Sequence, residues 1–365
     1  MDLAFFIQPL HPINRAYSDV LREDMDAIIL ADKLGYKEAF IGEHFTDLAE
    51  PITSSLMFIA RLISETKTIK LGSGIVNLPV YHPVMIAGHV AMIDQMLEGR
   101  FIWGIGPGGQ PSDMEAFGNL EVDRNAKMIE SFEQIMELWW GEPPFDVKGE
   151  FFSFTTQKTH LPEIGQGLVP KPWHNPHPPV VVTAMAPYSH GITMAAERDW
   201  NPISCQYVQA HWVKTHLPKY LEGLKNAGKP EDPAGWRVAK CIFVADDEAT
   251  VKSYARSESG PYGFYFSNLM KKLGRGGKLG LFGTYPDQPE NEITLQQSLD
   301  TQVIAGTVDS VVEQILAFRE EIGSFGTLVY TGLDWVDPVL GQRSMVLMAE
   351  EVMPRVNAAL KGESI

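Results

Sequence analysis

Residues 36–45, YKEAFIGEHF, residues 70–83, KLGSGIVNLPVYHP, and residues 94–109, DQMLEGRFIWGIGPGG, decide the fold. A short apolar run marks each, at 38–42, at 69–76 (beginning one residue earlier) and at 101–105. The runs are bounded by Gly, Pro or charge, as buried parallel strands are. Two helical patterns lie between them. Residues 54–64 carry Leu56, Ile59, Ala60 and Ile63, and residues 83–97 carry Ile86, Val90, Ile93 and Leu97. Strand alternating with helix predicts a parallel α/β unit, and in such units chemistry gathers where the strands end. At those ends stand Glu43-His44, Ser73-Gly74 and Gly106-Pro107-Gly108-Gly109.

The rhythm extends in both directions. A first strand is expected at 3–7 and a helix at 17–34, closed by Gly35. Strands five to eight are expected at 180–183, 203–205, 238–244 and 327–330. Further helices are expected at 124–139, 210–224, 308–322 and 344–360. Met128, Phe132, Ile135 and Trp139 recur at helical spacing and read as core. Two stretches break the pattern. Residues 141–179 hold eight prolines (143, 144, 162, 170, 172, 176, 178 and 179), and read as an excursion over a barrel mouth. Residues 259–302 hold GRGGKLGLFG and read as a mobile segment. The expected fold is α/β: a single (β/α)8 TIM barrel over residues 1–365, with insertions after strands four and seven.

The stretch resembles the bacterial luciferase-like family of flavin monooxygenases, nearest the diketocamphane and limonene type. IGEH, GSGIVNLPVYHP and DQMLEGRFIWG carry the resemblance, with GIGPGG favouring that subgroup. It implies reduced FMN from a separate flavin reductase and O2 adding at the flavin C4a. One oxygen atom would then pass to a hydrophobic, terpenoid or cyclic-ketone molecule. Baeyer–Villiger oxidation, epoxidation and hydroxylation stay open. It also implies a homodimer. A deazaflavin (F420)-dependent hydride-transfer enzyme on the same barrel and a non-catalytic flavin-binding partner subunit are the alternatives. F420's polyglutamate tail would call for Lys/Arg at the mouth, and this chain carries a net charge of −16.

His44, one residue past a strand, can shuttle a proton near neutrality. A hydrogen-bonded structural histidine is the plainer reading, and the resemblance makes His44 the catalytic residue. Adjacent strand residues point opposite ways, so Glu43 reads as a structural buried carboxylate. Gly74 in a buried strand reads on its own as a bulge. The resemblance implies instead that Ser73, Gly74 and Ile75 lie beneath the flavin ring, with a cis peptide at Gly74–Ile75. Gly104 to Gly109 formally match a dinucleotide-binding G-x-G-x-x-G. They follow the fourth strand rather than the first, and QPSDMEAFG opens no clear helix, so a glycine-lined wall near flavin or substrate is expected, with Gly106 in it. The light-producing luciferase subunit has Cys then Arg where this chain has Gly106 and Pro107, so neither light emission nor an Arg grip on phosphate carries over. After strand five, Met185, Ala186, Tyr188, Ser189 and His190 precede a helix. An ordinary Ser N-cap is the plainer reading, and the resemblance makes this loop the FMN phosphate site. Phe6 and Trp103 are expected in the substrate space. His82-Pro83 reads as a helix cap.

The remaining features exclude rather than assign. The acidic balance argues against nucleic acid or an anionic membrane as partner. An apolar share of 44% suits a soluble globular enzyme. Cys205 and Cys241 form no disulfide framework and no CxxC, and they read as buried thiols. The histidines show no HExxH spacing, so no metal is expected. Residues 274–278, GRGGK, miss the P-loop spacing. No signal peptide or membrane-spanning run is read, so a cytoplasmic location is expected.

Overall fold

Alternation of buried β-branched and aromatic runs with amphipathic helices gives, in the computed structural model, strands close to the expected bounds. The structure describes residues 1–7 and 9–361; the last four residues of the expected domain lie outside them. In chain order the strands are β1 (Asp2–Ile7), β2 (Glu38–Ile41), β3 (Lys70–Ser73), β4 (Val76–Asn77), β5 (Phe101–Gly106), β6 (Asp146–Lys148), β7 (Ser153–Thr155), β8 (Val180–Ala184), β9 (Asn201–Ser204), β10 (Arg237–Val244), β11 (Val303–Gly306) and β12 (Thr327–Thr331). The chain divides into two compact units, residues 40–181 and residues 1–39 with 182–365.

In the unit of residues 40–181, β3 and β4 both pair in parallel with β5, through Leu71↔Phe101 and Val76↔Ile105. All six residues of β5 are buried. Phe101, Trp103 and Ile105 alternate with Ile102, Gly104 and Gly106. Trp103 stacks on Phe132 at 5.6 Å and lies 5.7 Å from Trp139, both on the helix Arg124–Trp140. The expected single strand at 69–76 is broken at Gly74-Ile75 into β3 and β4. The excursion is more ordered than its prolines suggest. FFSF contributes to an antiparallel hairpin, β6 with β7. His174 closes the excursion onto buried Asp94 of the helix Pro83–Leu97: its N–H donates to Oδ2 and Nδ1 meets Oδ1, each at 2.8 Å.

In the unit of residues 1–39 and 182–365, β12 lies between β1 and β10 in parallel register. The long β10 pairs with β9 at its start, through Val238↔Ser204, and with β11 over 241–244. Arg237 grips Glu38 with two bonds of 2.7 Å. His11, buried, is held between Asp334 at 2.6 Å and Asp24 at 3.3 Å. The expected mobile segment at 259–302 is corrected here. It contains the 15-residue helix Pro261–Arg275, the helix Leu295–Gln302 with a Thr294 capping box, and the 3-10 turns Leu279–Phe282 and Glu290–Glu292. Tyr262, Tyr265, Phe266 and Leu269 are buried at i, i+3, i+4 and i+7. The expected helix at 210–224 is two helices, Ala210–Val213 and His216–Asn226, with Thr215 between them.

Candidate active site

β2 ends at Ile41, and the next turn presents Glu43 and His44 in opposite directions. Glu43 is 3% exposed. Its Oε2 accepts from the N–H and the Oγ of Ser55, each at 2.9 Å, and its Oε1 accepts from the Tyr81 hydroxyl at 3.0 Å. A carboxylate on the first N–H of the helix Ser55–Leu62 is favoured by that helix's dipole. Burial pushes its pKa up. It is the structural carboxylate that strand alternation predicts.

His44 faces the other way. Its side chain is 17% exposed, and its Nδ1 lies 3.2 Å from Asp113 Oδ2, with Glu50 Oε2 3.7 Å from Nε2. Asp113 is almost wholly buried, on the short helix Pro111–Ala116. It also accepts from the Thr46 N–H at 2.8 Å, the Thr46 hydroxyl at 2.6 Å and the Phe45 N–H at 3.1 Å. Burial works against the Asp113 charge, but the donors His44, Thr46 and Phe45 outweigh it and hold the carboxyl below the usual range. An ionised carboxylate only accepts, so His44 Nδ1 carries a proton toward Asp113, while Nε2 faces Glu50. QPSDMEAFG therefore does open a helix, against expectation, and it carries Asp113, a partner of His44 that sequence reasoning missed. Six residues are too few for a 3.6-residue period to register; Pro111 at the first helical position is the signal that was there.

Beside the end of β2 lies the break between β3 and β4. The Gly74–Ile75 peptide is cis. The Gly74 N–H donates to Ile41 O at 2.6 Å. Gly74 and Ile75 are half-buried between buried Ser73 and buried Val76. The Ser73 hydroxyl is committed: it donates to Gly104 O at 2.8 Å and accepts from Gly104 N at 2.9 Å. A Cβ on Gly104 would stand 1.9 Å from Ser73 O, and one on Gly106 would stand 1.8 Å from Ile75 Cδ1. Gly104 admits glycine alone, because strand backbones meet there, whereas at Gly106 the neighbour is the tip of the Ile75 side chain. Trp103, on the opposite side of β5, packs against Phe132 and Trp139; this corrects the expectation that its ring lines the substrate space.

In the other unit, Phe6 of β1 is half-buried. The loop after β8 runs from Met185 to the helix His190–Glu197, whose N-cap Ser189 makes no side-chain cap bond. Tyr188 has φ of 53°, in the left-handed region. Ala186, Tyr188 and His190 are exposed, Met185 and Ser189 half-buried. His82 caps the helix Pro83–Leu97 through Val84 N, as expected.

A buried carboxylate holding an imidazole just past a strand end is a proton-handling arrangement. Residues 1–324 match the family model of the luciferase-like monooxygenases. The chain belongs to that family.

Luciferase-like relatives align along nearly the whole chain. A 4-hydroxyprotoasukamycin monooxygenase from Streptomyces nodosus subsp. asukaensis is 29% identical over 98% of this chain and 92% of its own length. Limonene 1,2-monooxygenase from Rhodococcus erythropolis is 28% identical over 99% of this chain and 88% of its own. The oxygenating constituent of 3,6-diketocamphane monooxygenase from Pseudomonas putida, a type II Baeyer–Villiger monooxygenase solved with FMN, matches with a TM-score of 0.87 at 26% identity, over 98% of both chains. The fold class is the (β/α)8 barrel. No helix among the described residues is long and apolar enough to cross a membrane.

Proposed function

We propose that this protein is the oxygenating component of a two-component flavin monooxygenase. It would take reduced FMN from a separate flavin reductase and use O2 to place one oxygen atom in a hydrophobic substrate of the terpenoid or cyclic-ketone kind. The His44–Asp113 pair carries this reading. A binding-only subunit has no need of an imidazole oriented by a buried carboxylate.

The residues present suit a flavin. The half-buried Gly74–Ile75 backbone, with Ser73 and Gly106, offers a surface free of long side chains for the ring. Met185, Ala186, Tyr188, Ser189 and His190 offer an uncapped helix start for the phosphate. Phe6 is the proposed substrate-lining residue. The bound flavin supplies oxygen activation. The chain supplies position, exclusion of water and, at His44 Nε2, a group that takes up or returns a proton.

The same reading includes a homodimer. On the paired helices Ser55–Leu62 and Pro83–Leu97, Met57, Val84, Met85, Met92 and Met96 are exposed, at 75, 37, 42, 55 and 42%. The second helix has one charged residue, Asp94, and it is buried. Two copies each carrying −16 approach most easily through a face this poor in charge, where the helix Pro83–Leu97 shows no exposed charge. A cytoplasmic location is part of the reading too, supported by two cysteines that are both unpaired thiols.

The test supplies enzyme, a flavin reductase, NADH, FMN and 18O2 to a panel of monocyclic and bicyclic terpenes and ketones. One labelled oxygen atom per product molecule is expected. Failure to label any product, with hydride transfer from reduced F420 instead, would replace this reading with the deazaflavin one.

A further inference from the structure

The loop from Met185 to Ser189 is held from beneath by a chain of hydrogen bonds that does not touch the reacting centre. Its Tyr188, with φ of 53°, is a residue type that avoids this region unless its surroundings dictate it. Three contacts impose the loop's course. The Tyr207 hydroxyl reaches Met185 Sδ at 3.2 Å, the Tyr188 N–H donates to Thr215 Oγ1 at 2.9 Å, and His216 Nε2 meets the Ala186 carbonyl at 3.1 Å. Thr215 and His216 are neighbours at the start of the helix His216–Asn226, so one short segment grips the loop at two backbone points.

His216 is fully buried, and its hydrogen bonds can run only one way. Trp236 Nε1 is a donor without acceptor capacity, and it gives its proton to Ser204 Oγ at 2.9 Å. The Ser204 hydroxyl then donates to His216 Nδ1 at 2.8 Å. That leaves the imidazole proton on Nε2, aimed at Ala186 O. Burial pushes His216 down to about 4, so the ring stays neutral, with one acceptor and one donor as the chain requires. Ser204 ends β9, and Trp236 directly precedes β10, so the loop's shape is set by the sheet itself.

We infer that His216, driven by Trp236 and Ser204, is a positioning residue that shapes the Met185–Ser189 loop for the phosphate of FMN and so makes the protein select phosphorylated over unphosphorylated flavin. The inference rests on the proposed role of that loop. With Ala186 O tied down and Tyr188 N held by Thr215, the chain enters the helix His190–Glu197 with Ser189 Oγ uncapped. The first N–H groups of a helix have no intrahelical acceptors and suit an anion.

The experiment measures the affinity of oxidised FMN and of riboflavin for the native protein and for His216→Phe, His216→Gln, Ser204→Ala and Ser189→Ala. Removing one buried hydrogen bond typically weakens what depends on it by about tenfold. His216→Phe is therefore expected to lose about tenfold in FMN affinity while riboflavin affinity changes by less than about twofold. His216→Gln, which keeps a donor for Ala186 O, should recover part of the preference. Ser204→Ala, which deletes one hydroxyl, should lose part of it, and it carries the test if His216→Phe does not fold. Equal weakening of both flavins, or an unchanged FMN preference in the His216 and Ser204 variants while Ser189→Ala loses it, would overturn the role of His216 alone. A native protein that binds FMN and riboflavin equally would overturn the phosphate loop and this inference together.

Discussion

At the scale of single residues, the site turns on which side of a two-residue step each carboxylate stands. Glu43 holds a helix and Asp113 holds an imidazole, although only Glu43 is next to His44 in sequence. His44→Ala is expected to bind FMN nearly as the parent does and to lose product formation by ~10²–10⁴, the usual share of a general acid–base. Asp113→Asn is expected to give a similar direction of loss with a smaller effect on FMN. Its amide could donate to Nδ1 and so move the imidazole proton to the wrong nitrogen. Product and hydrogen peroxide, measured on both variants beside FMN affinity, check this. Fully coupled oxygenation by His44→Ala would remove the residue from the chemistry. His44 was legible in the sequence because a titratable side chain sits at a strand end inside a long family pattern. Asp113 was not, because nothing local links it to His44; the contact spans 69 positions and exists only in the fold.

At the scale of elements, periodicity worked where helices are long and one-sided. The helix Pro83–Leu97 falls within its expected bounds. It failed for residues 261–275, although Tyr262, Tyr265, Phe266 and Leu269 stand at helical spacing. The glycines from 274 to 283 coloured the whole region as loop, and a local glycine run says nothing about the residues before it. β11 was hidden for another reason. Its four residues, VIAG, are too few to show a period, and they become a strand only by pairing with the second half of β10. The exposed methionines of Pro83–Leu97 give a prediction at this scale. Met92→Glu, a charge on the proposed self-contact, is expected to yield a folded monomer where the native chain sediments as a dimer. A native chain that sediments as a monomer would dispose of the homodimer.

At the scale of the whole molecule, two buried histidines shape stability in opposite directions of pH. Burial opposes a charge on His11, but hydrogen bonds to Asp24 and Asp334 outweigh it and raise its pKa from 6.5 to about 9. Arg15 shares Asp334 and also pairs with Glu23, so the cluster stays charged on both sides. A raised folded pKa contributes stability that is fully present below the unfolded value and is lost as pH rises through about 9. His216 is the reverse. Its folded pKa is depressed from 6.5 to about 4 by burial, so its contribution is present above the unfolded value and is lost as pH falls through about 4. Tm should therefore fall toward both limits. His11→Gln should flatten the alkaline limb, and His216→Phe the acid limb. Calorimetric scans of the three proteins across that range check it, and limbs that survive both substitutions would show that other groups set them.

The two glycines of β5 have a consequence for how this chain could diversify. Gly104 leaves no room for even a methyl group, since the Ser73 backbone already occupies it, whereas a methyl at Gly106 meets only the tip of the Ile75 side chain. The wall at Gly104 is closed to mutation, and so is the hydroxyl of Ser73 that pins it. A laboratory or a lineage seeking a new substrate range finds little to adjust at that wall beyond the Ile75 side chain. Substitutions with room to vary lie instead in the long segments after β5 and β10, which is where a directed-evolution library should spend its codons.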